Sequence, residues 1–510
     1  MSHARPRMRA CAAAAAAALC LAALAIPSAN ATPLAAATPV VVADATASTP
    51  LPAELEQIRA AEAVSLYGSP EERPQAERKT SLVSIGDSEI SGEGAGTYWP
   101  GTDGPTNWCH RSQDAAIYRT GIPADAPTNI ACSGAATYHV KVGGVKQYPD
   151  QLVQSDHLAI KARNTRVKMV VVVVGANDDV QFGPVMTDCV TRWVLSQGTC
   201  EPKYAPGWQA RVDGIVPKVS ATVTDLKKVM RDAGYTDDAY KLVLMSYPSP
   251  ISPDMADNPN FPGKLPGGCL GYDSDAGWGR NTAVPVFERG IRRAAQLSGA
   301  DYLDASRLFH GHEVCTEQTW ARGFFYDGSF PPDENSVRQS YHPNATGHAA
   351  FASCFTQFYN SGLREASCAD PASTNAPKLY TGAWDDMFKP VKNVATGQCL
   401  DAVGGSSRNY TAVVGWDCLG GRNQTWWYDS EQGSLHVGLS HDRCLDSRDI
   451  AAPTAAILWN CHGGANQKWT RPSDGTIRPA TATGLCLTQP VANKAVALQA
   501  CNGSAAQRFV

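Results

Sequence analysis

The chain has 510 residues, a formal net charge of -4 and 18% charged residues. That length accommodates two or more domains, each with its own core. The weak acidic balance argues against a nucleic-acid footprint or a polybasic membrane patch.

The N-terminus carries Arg5, Arg7 and Arg9, then an alanine-rich apolar run, then Ala29-Asn30-Ala31. This pattern predicts a secretory signal peptide over residues 1–31, cut after Ala31. Residues 32–80 read as an N-terminal extension, partly disordered, because ATPLAAATPVVVADATASTP is of low complexity. No later apolar run approaches the roughly 20 residues that span a bilayer. The mature protein is therefore expected to be soluble, secreted and monomeric. Of 16 cysteines, Cys11 and Cys20 leave with the leader, and no CxxC metal pattern occurs. An even set in an exported chain predicts disulfides. Neighbours suggest the pairs Cys109–Cys132, Cys189–Cys200, Cys269–Cys315, Cys354–Cys368, Cys399–Cys418, Cys444–Cys461 and Cys486–Cys501.

From 81 to 368, strand-like and helix-like stretches alternate. TSLVSIGDSEISGEGAG begins at Thr80 as a short apolar strand and breaks at Gly86-Asp87-Ser88 into a turn with a serine at its tip. By itself this serine reads as a turn residue, since Gly, Asp and Ser are what turns are made of. VKMVVVVVGAND reads as a buried strand ending at Gly175–Asp178. Val212, Ile215, Val216, Val219, Val223, Leu226, Val229 and Met230 then recur at helical spacing. YKLVLMSYPSP and ADYLDAS read as strands, VPVFERGIRRAAQL and ATGHAAFASCFTQFYN as helices. Buried strands alternating with amphipathic helices indicate an α/β domain with a mainly parallel sheet. Sites in such domains lie at the C-terminal strand ends, where Ser88 and Asn177 fall.

Residues 369–385 read as a linker. In 386–510 three passages echo one another: GQCLDA…VVGWDC…NQTWWY, DRCLDS…ILWNC…NQKWTR and GLCLTQ…ALQAC…AQRFV. The closing glutamines Gln424, Gln467 and Gln507 are 43 and 40 residues apart. Repetition at this period indicates units that bury a core only together.

There is no GxSxG elbow. The chain instead offers Gly86-Asp87-Ser88, Cys132-Ser133-Gly134-Ala135, Gly175-Ala176-Asn177-Asp178 and Tyr341-His342-Pro343-Asn344. These supply a hydroxyl, a glycine amide, a carboxamide and an imidazole, the parts that acyl transfer requires. Their order resembles the SGNH (GDSL) hydrolase family over most of 81–368, in particular the secreted actinobacterial lipases and esterases. The resemblance implies a three-layer α/β/α fold, Ser88 as nucleophile and His342 as general base. It also implies an oxyanion hole from the Ser88 and Gly134 N–H groups with the Asn177 side chain. It implies no metal or organic cofactor. One departure is plain: the family's aspartate three residues before the histidine is Gln339 here. A main-chain carbonyl, that of Ser340, is the expected substitute, with Asp333 and Glu334 the alternatives.

The repeats resemble the ricin-type β-trefoil lectins. That likeness places Trp426, Trp469 and Phe509 in the core. It implies carbohydrate sites at Asp401, Trp416 and Asn423 in the first lobe and at Asp446, Trp459 and Asn466 in the second. A carboxylate accepts sugar hydroxyls while an aromatic face packs on the ring. The third lobe has Thr488, Gln499 and Ala506 and reads as scaffold. His310-Gly311-His312-Glu313 reads as structural, His110 and Arg111 as cleft lining or loop scaffolding, and Asp178 as a loop organiser. The sequons at Asn344, Asn409, Asn423 and Asn502 carry little weight. The expectation is thus a secreted serine ester hydrolase acting on lipid or simple esters and carrying a carbohydrate-binding module. The rival substrate is an acetylated polysaccharide, and the rival of another class is an inactive glycan-binding protein.

Overall fold

The valine run is the third strand of a seven-stranded sheet in the computed structural model, which describes residues 48–254, 263–325, 337–371 and 374–510. The expected leader lies outside the described residues. Strands β1 (Thr80–Gly86), β2 (Thr128–Asn129), β3 (Arg166–Val173), β4 (Lys241–Met245), β5 (Asp301–Asp304), β6 (Glu365–Ala369) and β7 (Lys378–Thr381) stand in the order β2-β1-β3-β4-β5-β6-β7. The first six are parallel; β7 runs antiparallel on the β6 edge. Val170–Val172 of β3 pairs on both sides, with β1 and β4, and is fully buried. An uninterrupted apolar run is what a central parallel strand needs, because both its faces are covered.

The helix Glu201–Asp232 buries the whole predicted stripe from Val212 to Met230, and Val284–Ser298 packs along it. Ala345–Ser361 closes the domain, started by Asn344, whose side chain accepts from the Thr346 and Gly347 N–H groups. Two stretches hold structure that their sequence does not announce. Ala53–Tyr67, inside the expected extension, is a helix against Gln154–Asn164. Its buried Arg59 donates to Asn164 Oδ1 at 3.2 Å and pairs with Glu56 at 2.7 Å. Within 369–385, read as a linker, Lys378–Thr381 forms β7 and Trp384 is buried.

Residues beyond 386 are all β, with short 3-10 turns. Leu400, Trp426, Leu445, Trp469, Leu487 and Phe509 share one core. Each closing glutamine repeats one bonding scheme. Gln424 Nε2 donates to Asp401 at 2.8 Å and to the Asp417 carbonyl at 2.7 Å, while its Oε1 accepts from Leu419 N–H. Gln467 does the same with Asp446, Asn460 and His462, and Gln507 with Thr488, Ala500 and Asn502. The indoles of Trp426 and Trp469 donate to the carbonyls of Leu400 and Leu445. Three lobes thus rest on the same buried polar contacts. All seven suggested cysteine pairs form disulfides.

The two domains are joined by a buried, charged seam. Arg280, 3% exposed, contacts Glu313 at 3.0 Å, Asp442 at 3.3 Å, Ser252 and Ser440. Arg443 reaches Asp254 at 3.3 Å and the Ser407 carbonyl at 2.7 Å. His310 Nδ1 accepts from His441 N–H at 3.0 Å. Beside these, Trp384, Phe388, Tyr380, Trp427 and His441 form an aromatic cluster. Burial pushes the Glu313 carboxyl up to about 7, against the pull of Arg280. Removing one partner of such a set strands the rest in a low-dielectric interior. Arg280→Ala should therefore lower stability by about 3–5 kcal/mol, seen by calorimetry as a marked fall in Tm, whereas Arg408→Ala at the exposed rim should barely move it.

Candidate active site

β1 delivers Ser88 through a turn that tolerates no side chain at its first position. Gly86 has φ +135°, and a Cβ there would lie 1.8 Å from the Val173 carbonyl oxygen. Gln154 clamps the same peptide, accepting from Gly86 N–H at 2.7 Å and donating to its carbonyl at 2.8 Å. Asp87 N–H then donates to Val173 O at 2.9 Å, so the chain leaves the sheet with Ser88 as the first residue of a short helix. The Asp87 side chain caps that helix and accepts from the Tyr247 hydroxyl at 2.6 Å. Burial pushes its carboxyl up to about 7, while the Tyr247 bond holds it down.

His342, 254 positions away in sequence, sets Nε2 at 2.9 Å from Ser88 Oγ. Its Nδ1 lies 3.1 Å from the Ser340 carbonyl. Burial lowers the imidazole's pKa from 6.5, and the Glu93 carboxylate acts the other way. The turn that carries it is pinned by Arg322, whose N–H donates to His342 O and whose carbonyl accepts from Tyr341 N–H, both at 2.8 Å. Gln339 is bonded elsewhere: its Oε1 accepts from the Tyr98 hydroxyl at 3.1 Å and from Arg322 at 2.9 Å. Asp333 and Glu334 lie outside the described residues. The glycines after Ser88 make this approach possible. Gly94 has φ +84°, and a Cβ on it would stand 3.0 Å from His342 Cβ.

The N–H groups of Ser88 and Gly134 have no acceptor among the described residues. Asn177 Nδ2 donates one proton to the Ala135 carbonyl at 3.0 Å, which leaves its second N–H available. Asp178 accepts from Thr137 N–H and Oγ1 and organises the loop. Arg111 donates to the carbonyls of Ile130 and Ala131, just ahead of the Gly134 loop. An apolar pocket is lined by Phe182, Val185, Met186, Trp208, Leu270 and Trp278. Its walls bond to neighbours of the site: Phe182 N–H to Ala176 O, and Tyr341 Oη to Leu270 O.

The His310–Glu313 tract supplies seam contacts. His312 stacks on Trp320 with ring centres 3.7 Å apart and bonds Asp370 at 3.0 Å. Sequence reasoning singled out His110 without its partner. His110 is fully buried and bonds Glu93 at 2.6 Å. Glu93, Tyr98, Tyr247, Gln154 and Arg322 were not singled out at all. For Glu93 the available signal was a lone charge inside a glycine tract.

In the first lobe Trp416 is 46% exposed, and Asn423 Nδ2 donates to Asp401 at 2.8 Å. Asp401 Oδ1 accepts no bond among the described residues. In the second lobe Asn466 bonds both Asp446 oxygens, at 2.9 and 2.8 Å, His462 stands 3.4 Å away, and Tyr410 packs edge-on against Trp459 at 4.4 Å. Among the described residues Thr488 Oγ1 serves only Gln507 and the Cys486 carbonyl.

The family described as GDSL-like lipase/acylhydrolase matches residues 84–350, and the ricin-type beta-trefoil lectin domain matches 387–509. "Lipase 2" of Streptomyces coelicolor is 26% identical over 289 residues, covering 54% of this chain and 85% of that protein. "Lipase" of Streptomyces rimosus is 25% identical over 273 residues, covering 53% and 83%. Among solved structures, the extracellular lipase of Streptomyces rimosus aligns at 22% identity over 56% of this chain and 100% of its own, with a TM-score of 0.35. The earthworm R-type lectin C-half aligns at 20% identity over 24% of this chain and 96% of its own, with a TM-score of 0.22.

The contact at Gly94 gives a direct test of the pairing. Gly94→Ala should displace the imidazole and lower kcat by about 10²-fold, as a misplacement near 1 Å does. Circular dichroism should show the fold kept; unchanged turnover would mean that this approach does not set the geometry.

Proposed function

Because the chain belongs to the GDSL-like lipase/acylhydrolase family, we propose that this ester hydrolase works through an acyl-enzyme on Ser88 and is held on glycan by its lectin domain. The single observation that carries the reading is the 2.9 Å contact between Ser88 Oγ and His342 Nε2. The ring accepts the hydroxyl proton at Nε2 as Oγ attacks the ester carbonyl, while Nδ1–H stays on Ser340 O, which fixes tautomer and orientation. Lowered proton affinity keeps the imidazole neutral, and so basic, at neutral pH. The oxyanion forms where the Ser88 and Gly134 N–H groups and the free Asn177 N–H point, donors that need no reorganisation. The imidazolium returns its proton to the departing alcohol. Water, deprotonated by the same nitrogen, then releases the acid.

The apolar pocket favours lipid or simple esters, with the acyl group as its occupant. Residues 1–31 and seven disulfides support secretion, since such bonds persist in oxidising compartments. Among the described residues no helix is long and apolar enough to cross a membrane.

Ser88→Ala should lower hydrolysis of p-nitrophenyl esters by about 10⁴-fold or more with melting behaviour and glycan retention unchanged. Fluorophosphonate labelling at another serine would refute the assignment. A wild-type preference for acetylated xylan over acyl esters would transfer the reading to polysaccharide deacetylation.

For the lectin domain, Asp401→Thr and Asp446→Thr copy the third lobe and keep an acceptor for Gln424 and Gln467. Each should weaken retention on a glycan matrix, and the double variant should lose it, because two sites on one body gain through effective concentration. Asp401→Thr should cost more, since Asp401 Oδ1 is unengaged while both Asp446 oxygens are already bonded. Retention by the folded double variant would place the sugar elsewhere.

A further inference from the structure

We propose that Glu93 is a positioning residue that supplies, from one layer behind, the negative charge that His342 lacks at Nδ1. The inference rests on the Ser88–His342 reading above. A carbonyl at Nδ1 orients the ring through a dipole but leaves a half-buried imidazolium without a counter-charge when the Ser88 proton arrives.

Glu93 sits where it can meet that need. Its side chain is completely buried. The segment that carries it lies against His342, as the 3.0 Å clearance at Gly94 shows. A buried carboxylate is costly unless something compensates it. Glu93 Oε2 is compensated by His110 Nδ1 at 2.6 Å, and the Ser133 hydroxyl also steadies the carboxylate. His110 Nε2 faces Asp103 Oδ1 at 3.2 Å. Both ring nitrogens of His110 thus lie against carboxylate oxygens, two carboxylates to one imidazole. Asp103 is 45% exposed, so water screens its charge. The unscreened charge is at Glu93. Tyr98 stacks on His110 at 4.5 Å and donates to Gln339, tying this cluster to the histidine's own turn.

The other groups around the ring do not offer this charge. Arg322 and Arg338 are cations, the Arg322 guanidinium contacting the Gly94 carbonyl and that of Arg338 standing beside Gly134. His110 and His348 oppose protonation of His342 or compete with it. Asp87 gives its carboxyl to Tyr247. Glu93 raises the proton affinity of His342 against burial. In the reaction the proton moves from Ser88 Oγ to His342 Nε2 and on to the leaving alcohol; Glu93 stays an unprotonated carboxylate throughout.

The test follows the pH dependence of Ser88 labelling by a fluorophosphonate, which reports the state of His342 without a choice of substrate. Glu93→Gln should slow plateau labelling roughly tenfold to a hundredfold, well short of the ~10⁴-fold lost with a directly bonded triad carboxylate. Its ascending limb should move to lower pH, because a ring without the anion binds its proton less tightly. Glu93→Asp should restore the limb. His110→Gln removes a ring that opposes protonation of His342, and its limb should move to higher pH. A folding role alone would not produce shifts of opposite sign. An unmoved limb in folded Glu93→Gln, or shifts in the same direction for both variants, overturns the proposal. Should Glu93→Gln fail to fold, His110→Gln decides: an upward shift supports the proposal, and no shift or a downward one overturns it. Wild-type enzyme unlabelled at Ser88 would instead bring down the underlying reading, and the inference with it.

Discussion

The hydrogen bond from Asp87 N–H to the Val173 carbonyl is the point on which the site depends. It ties the last residue of β3 to the first residue beyond β1, so these two adjacent strands end together. From that shared end one chain turns into Ser88 and the other, after Val174, into Ala176 and Asn177. The hydroxyl and the carboxamide are therefore placed by sheet register before any loop contributes. Gly86 follows from the same bond, since the carbonyl that accepts from Asp87 occupies the space a β-carbon would need. Only the imidazole arrives from far away, and its turn must be pinned separately by Arg322 and approached closely by Gly94.

Buried charge is handled differently at the domain seam and behind His342. At the domain seam Arg280 and Arg443 stand directly against Glu313, Asp442 and Asp254, so each of these anions touches an arginine. Behind His342 two carboxylates meet an imidazole instead. Direct contact with a permanent cation suits a joint that only has to hold. A residual field is useful where a positive charge must appear and vanish within each turnover.

Much of this was legible in the chain because it follows from period and order. The buried valines, the stripe from Val212 to Met230 and the three glutamine-closed repeats each carry their geometry in their spacing. The four blocks that hold Ser88, Gly134, Asn177 and His342 were readable for the same reason, as loops that follow strands or precede a helix. Glu93 was not, because its meaning lies in a contact with His110 across a fold of the chain, and a lone glutamate among glycines has no period. The helix Ala53–Tyr67 escaped for another reason: its docking depends on Arg59 and Asn164, a polar contact, and not on an apolar stripe. Lys378–Thr381 was read as connector because an edge strand of four residues needs only one neighbour and so shows little alternation.

The third trefoil lobe separates two duties that one side chain performs in the other lobes. There Gln507 finds its acceptor in the Thr488 hydroxyl, where Gln424 and Gln467 use aspartates. What the fold demands of this position is a single lone pair; the second carboxylate oxygen is surplus to architecture. Valence in such a domain is thus an adjustable quantity, decoupled from cooperativity of folding. A lobe can be silenced or revived by exchanging one acceptor for another, with its neighbours left undisturbed.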